Sequence, residues 1–248
     1  MTHRTFAIGD IHGDIDALRR LFARMPALDG DDTVVFLGDY LDRGPRSREV
    51  VRVVRAIDRD MGCQSVALRG NHEDAWLRVI DEGWPEFLLP AQNGCLATLR
   101  SFTGSPLGAD AMPTAEEMAT MLRGDFFPQD VVDWMRTLPW WHEDEHAIYV
   151  HAGLPLKDGR WLHPSEAEPR AALLWTRTAA FFRDYRGKRV VVGHTATSTL
   201  PQELSAHTPE DPTDLFAGEC VLAIDTEAGR GGFLTCVELP EMRVYTSR

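Results

Sequence analysis

The sequence predicts an α/β fold that carries two sheets, and three observations predict it. Short apolar or β-branched runs alternate with helix-spaced segments three times in succession early in the chain. Each of those runs stops at a polar cluster containing glycine, which is how α/β proteins expose functional side chains at the rim of a sheet. The last part of the chain alternates apolar runs with turn residues and reads as an antiparallel meander closing a second sheet.

The first unit is a strand over 4–8, the cluster Gly9-Asp10-Ile11-His12-Gly13, and a helix over 15–25 whose Leu18, Leu21, Phe22 and Met25 share one face. Pro26 stops that helix. Asp29-Gly30-Asp31-Asp32 lacks the downstream Glu of a calcium loop and reads as a solvated turn. The second unit is a strand over 33–37, then Gly38-Asp39-Tyr40-Leu41-Asp42-Arg43-Gly44, then a helix over 47–59. The third is a strand over 65–68, then Arg69-Gly70-Asn71-His72-Glu73, then a helix over 74–82. Residues 83–138 differ in kind. They hold Trp84, Trp134, several prolines and helical pieces near 96–102, 115–122 and 128–137, and read as a helical insertion within one domain spanning 1–248. Strands return at 146–150, ending in His151-Ala152-Gly153, and at 189–192, ending in Gly193-His194-Thr195, with a helix over 166–182 between them. Residues 201–214 read as an exposed loop. Strands at 220–224, 233–239 and 243–246 form the predicted meander.

Composition narrows the function. The chain has 248 residues and a net charge of −12, which argues against a general nucleic-acid or anionic-membrane binder, since phosphates reward surplus Lys and Arg. Cys63, Cys95, Cys220 and Cys236 show no metal or redox spacing. No leader peptide or long apolar stretch is seen, so a reduced cytoplasmic protein is expected, with no obligate partner chain. His3, His142, His146, His163 and His207 lack a strand-end setting and read as surface or packing residues, and Trp140-Trp141 as packing.

Taken singly, Gly-Asp-x-His-Gly is as readily a turn as a ligand pair, and His151 or His194 is more readily a satisfied core histidine than a ligand. Together, the strand-end clusters supply imidazole, carboxylate and amide oxygen. That set suits borderline divalent ions such as manganese, iron or zinc better than calcium.

The series formed by residues 9–13, 38–44, 69–73, 151–153 and 193–195 resembles the phosphoprotein phosphatase family of calcineurin-like metallophosphoesterases. Within it, the single-chain bacterial and phage serine/threonine phosphatases are the nearest likeness. Asn93-Gly94 before a helix and Trp175-Thr176-Arg177 add to the likeness. The resemblance implies a two-sheet β-sandwich flanked by helices and a dinuclear site for two divalent ions, manganese first, with iron or zinc as alternatives. Asp10, His12 and Asp39 would hold one ion, and Asp39, Asn71, His151 and His194 the other. Arg43, Arg69 and Arg177 would grip phosphoryl oxygens, and His72, oriented by Asp42, would protonate the leaving group. The activity implied is serine/threonine protein phosphatase, on a phosphorylated protein. The alternatives are a hydrolase of symmetrical dinucleoside polyphosphates or another small phosphoester, and a silent metal-binding scaffold. Glu227 stands where bacterial relatives carry Gly after Asp-Thr, so Asp225 is assigned at most a supporting place.

Overall fold

The computed structural model describes residues 3–106, 112–207, 211 and 213–248. Residues 107–111 of the predicted insertion and 208–210 and 212 of the predicted loop lie outside them.

Three strands, β1 (Thr5–Ile8), β2 (Thr33–Phe36) and β3 (Gln64–Ala67), run parallel and side by side. Between β1 and β2 runs α1 (Ile15–Phe22). Between β2 and β3 the predicted single helix is two, α2 (Ser47–Val54) and α3 (Ile57–Met61). At Ala56 the backbone bond shortens to Val53, three residues back, which ends the first α-helical ladder. The helix after β3, α4 (Asn71–Glu82), starts three residues earlier than predicted, because the Glu73 carboxylate accepts from Gly70 N at 3.1 Å and caps its first turn. Asn71 and His72 therefore sit on helical backbone rather than in a loop.

The insertion contains α5 (Pro85–Leu88), α6 (Cys95–Thr103), α7 (Ala115–Arg123) and α8 (Gln129–Thr137). Beyond it come the antiparallel pair β4 (Trp141–Glu143) and β5 (Ile148–Val150), and the short hairpin β6 (Leu156–Lys157) and β7 (Arg160–Trp161). The helix predicted over 166–182 is instead α9 (Ala172–Trp175) and α10 (Ala179–Asp184). Pro169 lacks the N–H a continuous helix needs, and Thr176 Oγ1 bonds back to Ala172 O at 2.6 Å as the backbone turns extended. Arg177 is thereby placed on extended chain between two short helices.

The predicted terminal meander is divided between the sheets. After β8 (Val190–Val192), β9 (Phe216–Ala217) and β10 (Val221–Ala223) join the second sheet, in the order β4-β5-β8-β10-β9. The last strands, β11 (Thr235–Leu239) and β12 (Arg243–Thr246), return to the first, in the order β12-β11-β1-β2-β3.

Period-two alternation explains the layering. Phe6, Ile8, Val34 and Phe36 face the core under α1, α2 and the insertion helices, while Ala7, Val35 and Leu37 face the other sheet. Ile148, Val150, Val190 and Val192 face a third core beneath α10, while Tyr149 and Val191 meet Ala7 and Val35 in the middle. The result is a two-sheet sandwich with helices on both outer faces. Insertion residues such as Leu99, Val131 and Met135 belong to the same core as Phe6.

One smaller expectation changes: Asp32 of the supposed solvated turn is only 2% exposed and holds Arg4 at 2.6 Å. Trp140 and Trp141, read as packing residues, pack on the second sheet's core. All four cysteines are free thiols. Among the described residues no helix is long and apolar enough to cross a membrane.

Candidate active site

The parallel strands β1, β2, β3, β5, β8 and β10 all release their polar clusters at one edge of the sandwich. There Asp10, His12, Asp39, Asp42, Asn71, His72, His151, His194 and Asp225 come together, each at most 4% exposed. His12, Asp39, Asp42, Arg43 and His194 all have left-handed backbone, with φ of 46, 53, 71, 67 and 64°. Non-glycine residues rarely adopt it, and such strain gathers at functional sites.

Glu73 is what makes the loop after β2 hold that shape. Its carboxylate accepts from the backbone N–H groups of Asp39 and Tyr40, both at 2.9 Å, and of Leu41 at 3.3 Å. Burial and the nearby Asp39 charge push the Glu73 carboxyl up to about 8, against the pull of those N–H donors. Tyr40 is fully buried and donates to Leu68 O at 2.7 Å.

Asp39 stands between two groups of ligand atoms. Its Oδ2 lies 3.3 Å from His12 Nε2 and 3.8 Å from His72 Nε2, while its Oδ1 lies 3.5 Å from His151 Nε2. His12, Asp39 and His72 form one group able to hold a metal ion, and Asp39, His151 and His194 another. Asp10 adjoins the first, with Oδ2 3.9 Å from His12 Nε2, and accepts from His194 N at 3.0 Å.

The donor set fits cations. His12 Nδ1 donates to Leu41 O and His151 Nδ1 to Leu37 O, each at 2.8 Å, so both rings turn an Nε2 lone pair toward Asp39. Asn71 Oδ1, an acceptor, lies 2.8 Å from both His151 Nε2 and His194 Nδ1. Because His151 Nδ1–H is used on Leu37 O, its Nε2 turns a lone pair onto that oxygen, an approach that a cation between them offsets. His194 Nε2 is buried without a hydrogen-bond partner among the described residues. Burial lowers the pKa values of His12, His151 and His194, assisted by Arg43 at His12 and by His151 and Arg177 at His194, which keeps them neutral and able to ligate. Burial, with Asp225 and Asp39 alongside, drives the Asp10 carboxyl well up. Burial acts the same way on Asp39, but His151, His72, His12 and Arg43 outweigh it and hold that carboxyl far below its ordinary range.

His72 is held differently. Its Nδ1 meets Asp42 Oδ2 at 2.6 Å, and Asp42 also accepts from Trp76 Nε1 at 2.9 Å and Thr98 Oγ1 at 2.6 Å. Thr98 lies on α6, so the insertion completes this dyad. Gly94, just before α6, accepts from Arg43 N at 3.2 Å, and a Cβ at Gly94 would collide with the Arg43 backbone.

A cleft of about 320 Å³ opens over these groups, and Arg43, Asn71, His72, Arg177, His194 and Asp225 are among its lining residues. Arg43 contacts His12 Nε2 and lies 3.3 Å from His72 Nε2, and Arg177 donates to His194 O at 2.8 Å. The expectation for Arg69 fails. Its guanidinium turns away, donating to the carbonyls of Met135 and Arg136 and to Asp74 Oδ1, and stacks 4.7 Å from the Trp140 ring centroid. Those carbonyls end α8, where a cation is favoured. Arg69 thus fastens the insertion to the third motif.

Sequence reasoning missed Trp76, Thr98 and Arg230. Only Trp76 left a signal, four residues after His72 on the same helix face. A larger cavity of about 720 Å³, between the β6–β7 hairpin and α10, is lined by none of these residues.

With this geometry in place, comparison with known proteins is informative. A symmetrical bis(5'-nucleosyl)-tetraphosphatase of Dechloromonas aromatica is 29% identical over 60% of this chain and 44% of its own length, so the chain matches less than half of that relative. The fold is similar to that of a metallophosphoesterase from Sphaerobacter thermophilus (TM-score 0.55, 17% identity, 99% of this chain and 87% of that one). It is also similar to a cold-active protein-tyrosine phosphatase of a Shewanella species (TM-score 0.55, 18% identity, 100% of this chain and 81% of that one). The calcineurin-like phosphoesterase family model matches residues 3–198. That match begins before β1 and runs past His194, taking in every member of the two ligand groups around Asp39, and so this chain belongs to the calcineurin-like phosphoesterase family.

Proposed function

We propose that the cleft is a dinuclear, metal-dependent phosphoester hydrolase site. One observation carries this reading: the two oxygens of Asp39 face two separate groups of ligand atoms. Asp10, His12 and Asp39 would hold one divalent ion, and Asp39, Asn71, His151 and His194 the other, with manganese, iron or zinc suited to the mixed nitrogen and oxygen set. Two such ions supply Lewis-acid polarisation of a phosphoryl oxygen and an acidified water. Arg43 and Arg177 would bind and orient the phosphoryl oxygens through charged hydrogen bonds. His72 would carry a proton on Nε2 toward the leaving oxygen, while Asp42 accepts from Nδ1 and fixes the ring. Asp225, at the cleft wall with its Oδ1 accepting from Glu227 N at 3.0 Å, would take a supporting place.

For the substrate, a small phosphoanhydride of the dinucleoside polyphosphate type is the first reading. It is supported by the name of the curated relative, over the part of that relative that matches. A phosphoserine or phosphothreonine protein is the second reading. The Asp42–His72 pair favours it, because an alkoxide leaving group needs a proton donor and a departing nucleotide phosphate does not. The shared core of insertion and sheet supports one domain, and the four free thiols support a cytoplasmic location. Hydrolysis of diadenosine tetraphosphate beside a phosphopeptide, with added manganese, tests the proposal. Activity on the dinucleotide is expected to exceed that on the peptide. The reverse order would reinstate the phosphoprotein, and no metal-dependent hydrolysis of either would refute the site.

A further inference from the structure

Three guanidinium groups line the cleft, and the function proposed above employs two of them. Arg43 reaches into the first ligand group and Arg177 is fastened to His194. The third, Arg230, lies on the turn between β10 and β11 and comes to the cleft from a different side. Its Nη2 donates to Gln92 O at 3.0 Å, which ties that turn to the segment preceding α6. Nε and Nη1 then have no hydrogen-bond partner among the described residues.

The turn is pressed against the ligand groups. Gly229 has a φ of +75°, and a Cβ there would strike the His12 backbone. Arg230 is thus held in register with the first ligand group, one residue from that contact. The two acids at the same wall act on it from a distance and form no direct ion pair with it. Asp225 is engaged with Glu227 N, and Glu227 Oε2 accepts from Ser198 Oγ at 3.1 Å. Among the described residues, no carboxylate lies within 4.0 Å of the guanidinium of Arg43, Arg177 or Arg230. In a chain of net charge −12, three guanidinium groups without a directly paired carboxylate among the described residues gather at one cleft. Asp10, Asp39, Asp225 and Glu227 act on them only at longer range, and the three suit a phosphoryl group that can make the direct contact.

We propose that Arg230 clamps a second phosphoryl group adjoining the scissile one, so that the cleft selects phosphoanhydride chains over isolated phosphomonoesters. This rests on the hydrolase reading of the cleft. Arg43 and Arg177, both in contact with ligand histidines, attend the reacting phosphoryl group. Arg230, anchored away from those histidines, attends its neighbour in a nucleoside or dinucleoside polyphosphate. With one Nη2 hydrogen held by Gln92 O, the Arg230 guanidinium keeps Nε, Nη1 and its full charge to donate to the oxygens of a neighbouring phosphoryl group.

The test pairs a binding measurement with a kinetic one. Calorimetric titration of the metal-supplemented protein compares methylenediphosphonate, which carries two adjacent phosphoryl groups and cannot be hydrolysed, with methylphosphonate, which carries one. Arg230→Ala is expected to reduce the preference for the diphosphonate by about tenfold or more, the worth of one charged hydrogen-bonded contact. Arg230→Lys should keep part of that preference. In kinetics, the ratio of kcat/KM on diadenosine tetraphosphate to that on p-nitrophenyl phosphate should fall similarly, mainly through KM. Equal weakening of both phosphonates, an unchanged preference, or a loss confined to acidic phosphopeptides would overturn the assignment. Should the wild type hydrolyse neither substrate, the hydrolase reading fails, and the phosphonate titration still decides the role of Arg230.

Discussion

The two sides of the cleft are built on opposite plans. On the side of Asp42 and His72, both Asp42 oxygens are occupied, by His72, Trp76 and Thr98, and Asp42 is fully buried behind His72, which lines the cleft. On the side of His194 and Arg177, a ring nitrogen has no partner among the described residues, Asn71 Oδ1 faces two imidazoles, and the segment carrying Arg177 is extended chain between short helices. The closed side fixes one imidazole in one orientation. The open side leaves polar atoms without such partners. The proposed hydrolase would need both, and here they meet at Asp39.

The largest expected effect comes from removing what the sides share. Asp39→Ala should lose at least about a hundredfold in activity, the upper end for lost metal-supporting contacts. Elemental analysis should show the bound metal falling from two ions per chain to one or none, and two retained ions would dissolve the comparison. Next is the closed side alone. Asp42→Asn should lower turnover by about 10²–10⁴-fold on an alkyl phosphate and much less on p-nitrophenyl phosphate, whose phenolate leaves without a proton. Equal losses on both would mean that His72 is not a proton donor.

Thr98→Val should act through Asp42, leaving one buried oxygen short of a donor and costing about 1–3 kcal/mol in denaturant unfolding. The smallest effect concerns the insertion that supports the closed side. Arg100 holds Glu117 at 2.7 Å, joining α6 to α7, and with Thr114 N lowers the Glu117 carboxyl to about 2. A lowered folded-state value gives stability that is complete above the ordinary carboxylate range and is lost as pH falls from about 4.5 to about 2. Arg100→Met should therefore lower Tm slightly at pH 7 and not at pH 2. A constant difference across that range would separate the pair from the stability of the insertion.

Much of this clustering was legible because most of the expected ligands come within three residues of the end of a strand-like run, so strand and polar cluster announce each other. Asp10, Asp39, Asn71, His151 and His194 were readable in that way. Arg69 was misread because adjacency to a motif is local, whereas its partners, Trp140 and the carbonyls ending α8, arrive by tertiary folding. Thr98 was invisible for the same reason, being 56 residues from the carboxylate it serves. The terminal strands were identified yet assigned to one sheet, since alternation tells which face of a strand is buried and nothing about its neighbours. The break that frees Arg177 hung on Pro169 and on a threonine bonding its own backbone, choices that helical periodicity over 166–182 concealed.

The left-handed backbone at His12, Asp39, Asp42, Arg43 and His194 bears on how this protein would respond to improvement. At each position glycine or asparagine would relax the chain, glycine by roughly 1 kcal/mol where the side chain contributes little else. A library screened for thermal tolerance alone would drift toward those residues and discard ligands as it gained robustness. Screens that raise the melting point of this chain will keep it working only if they hold these five positions fixed.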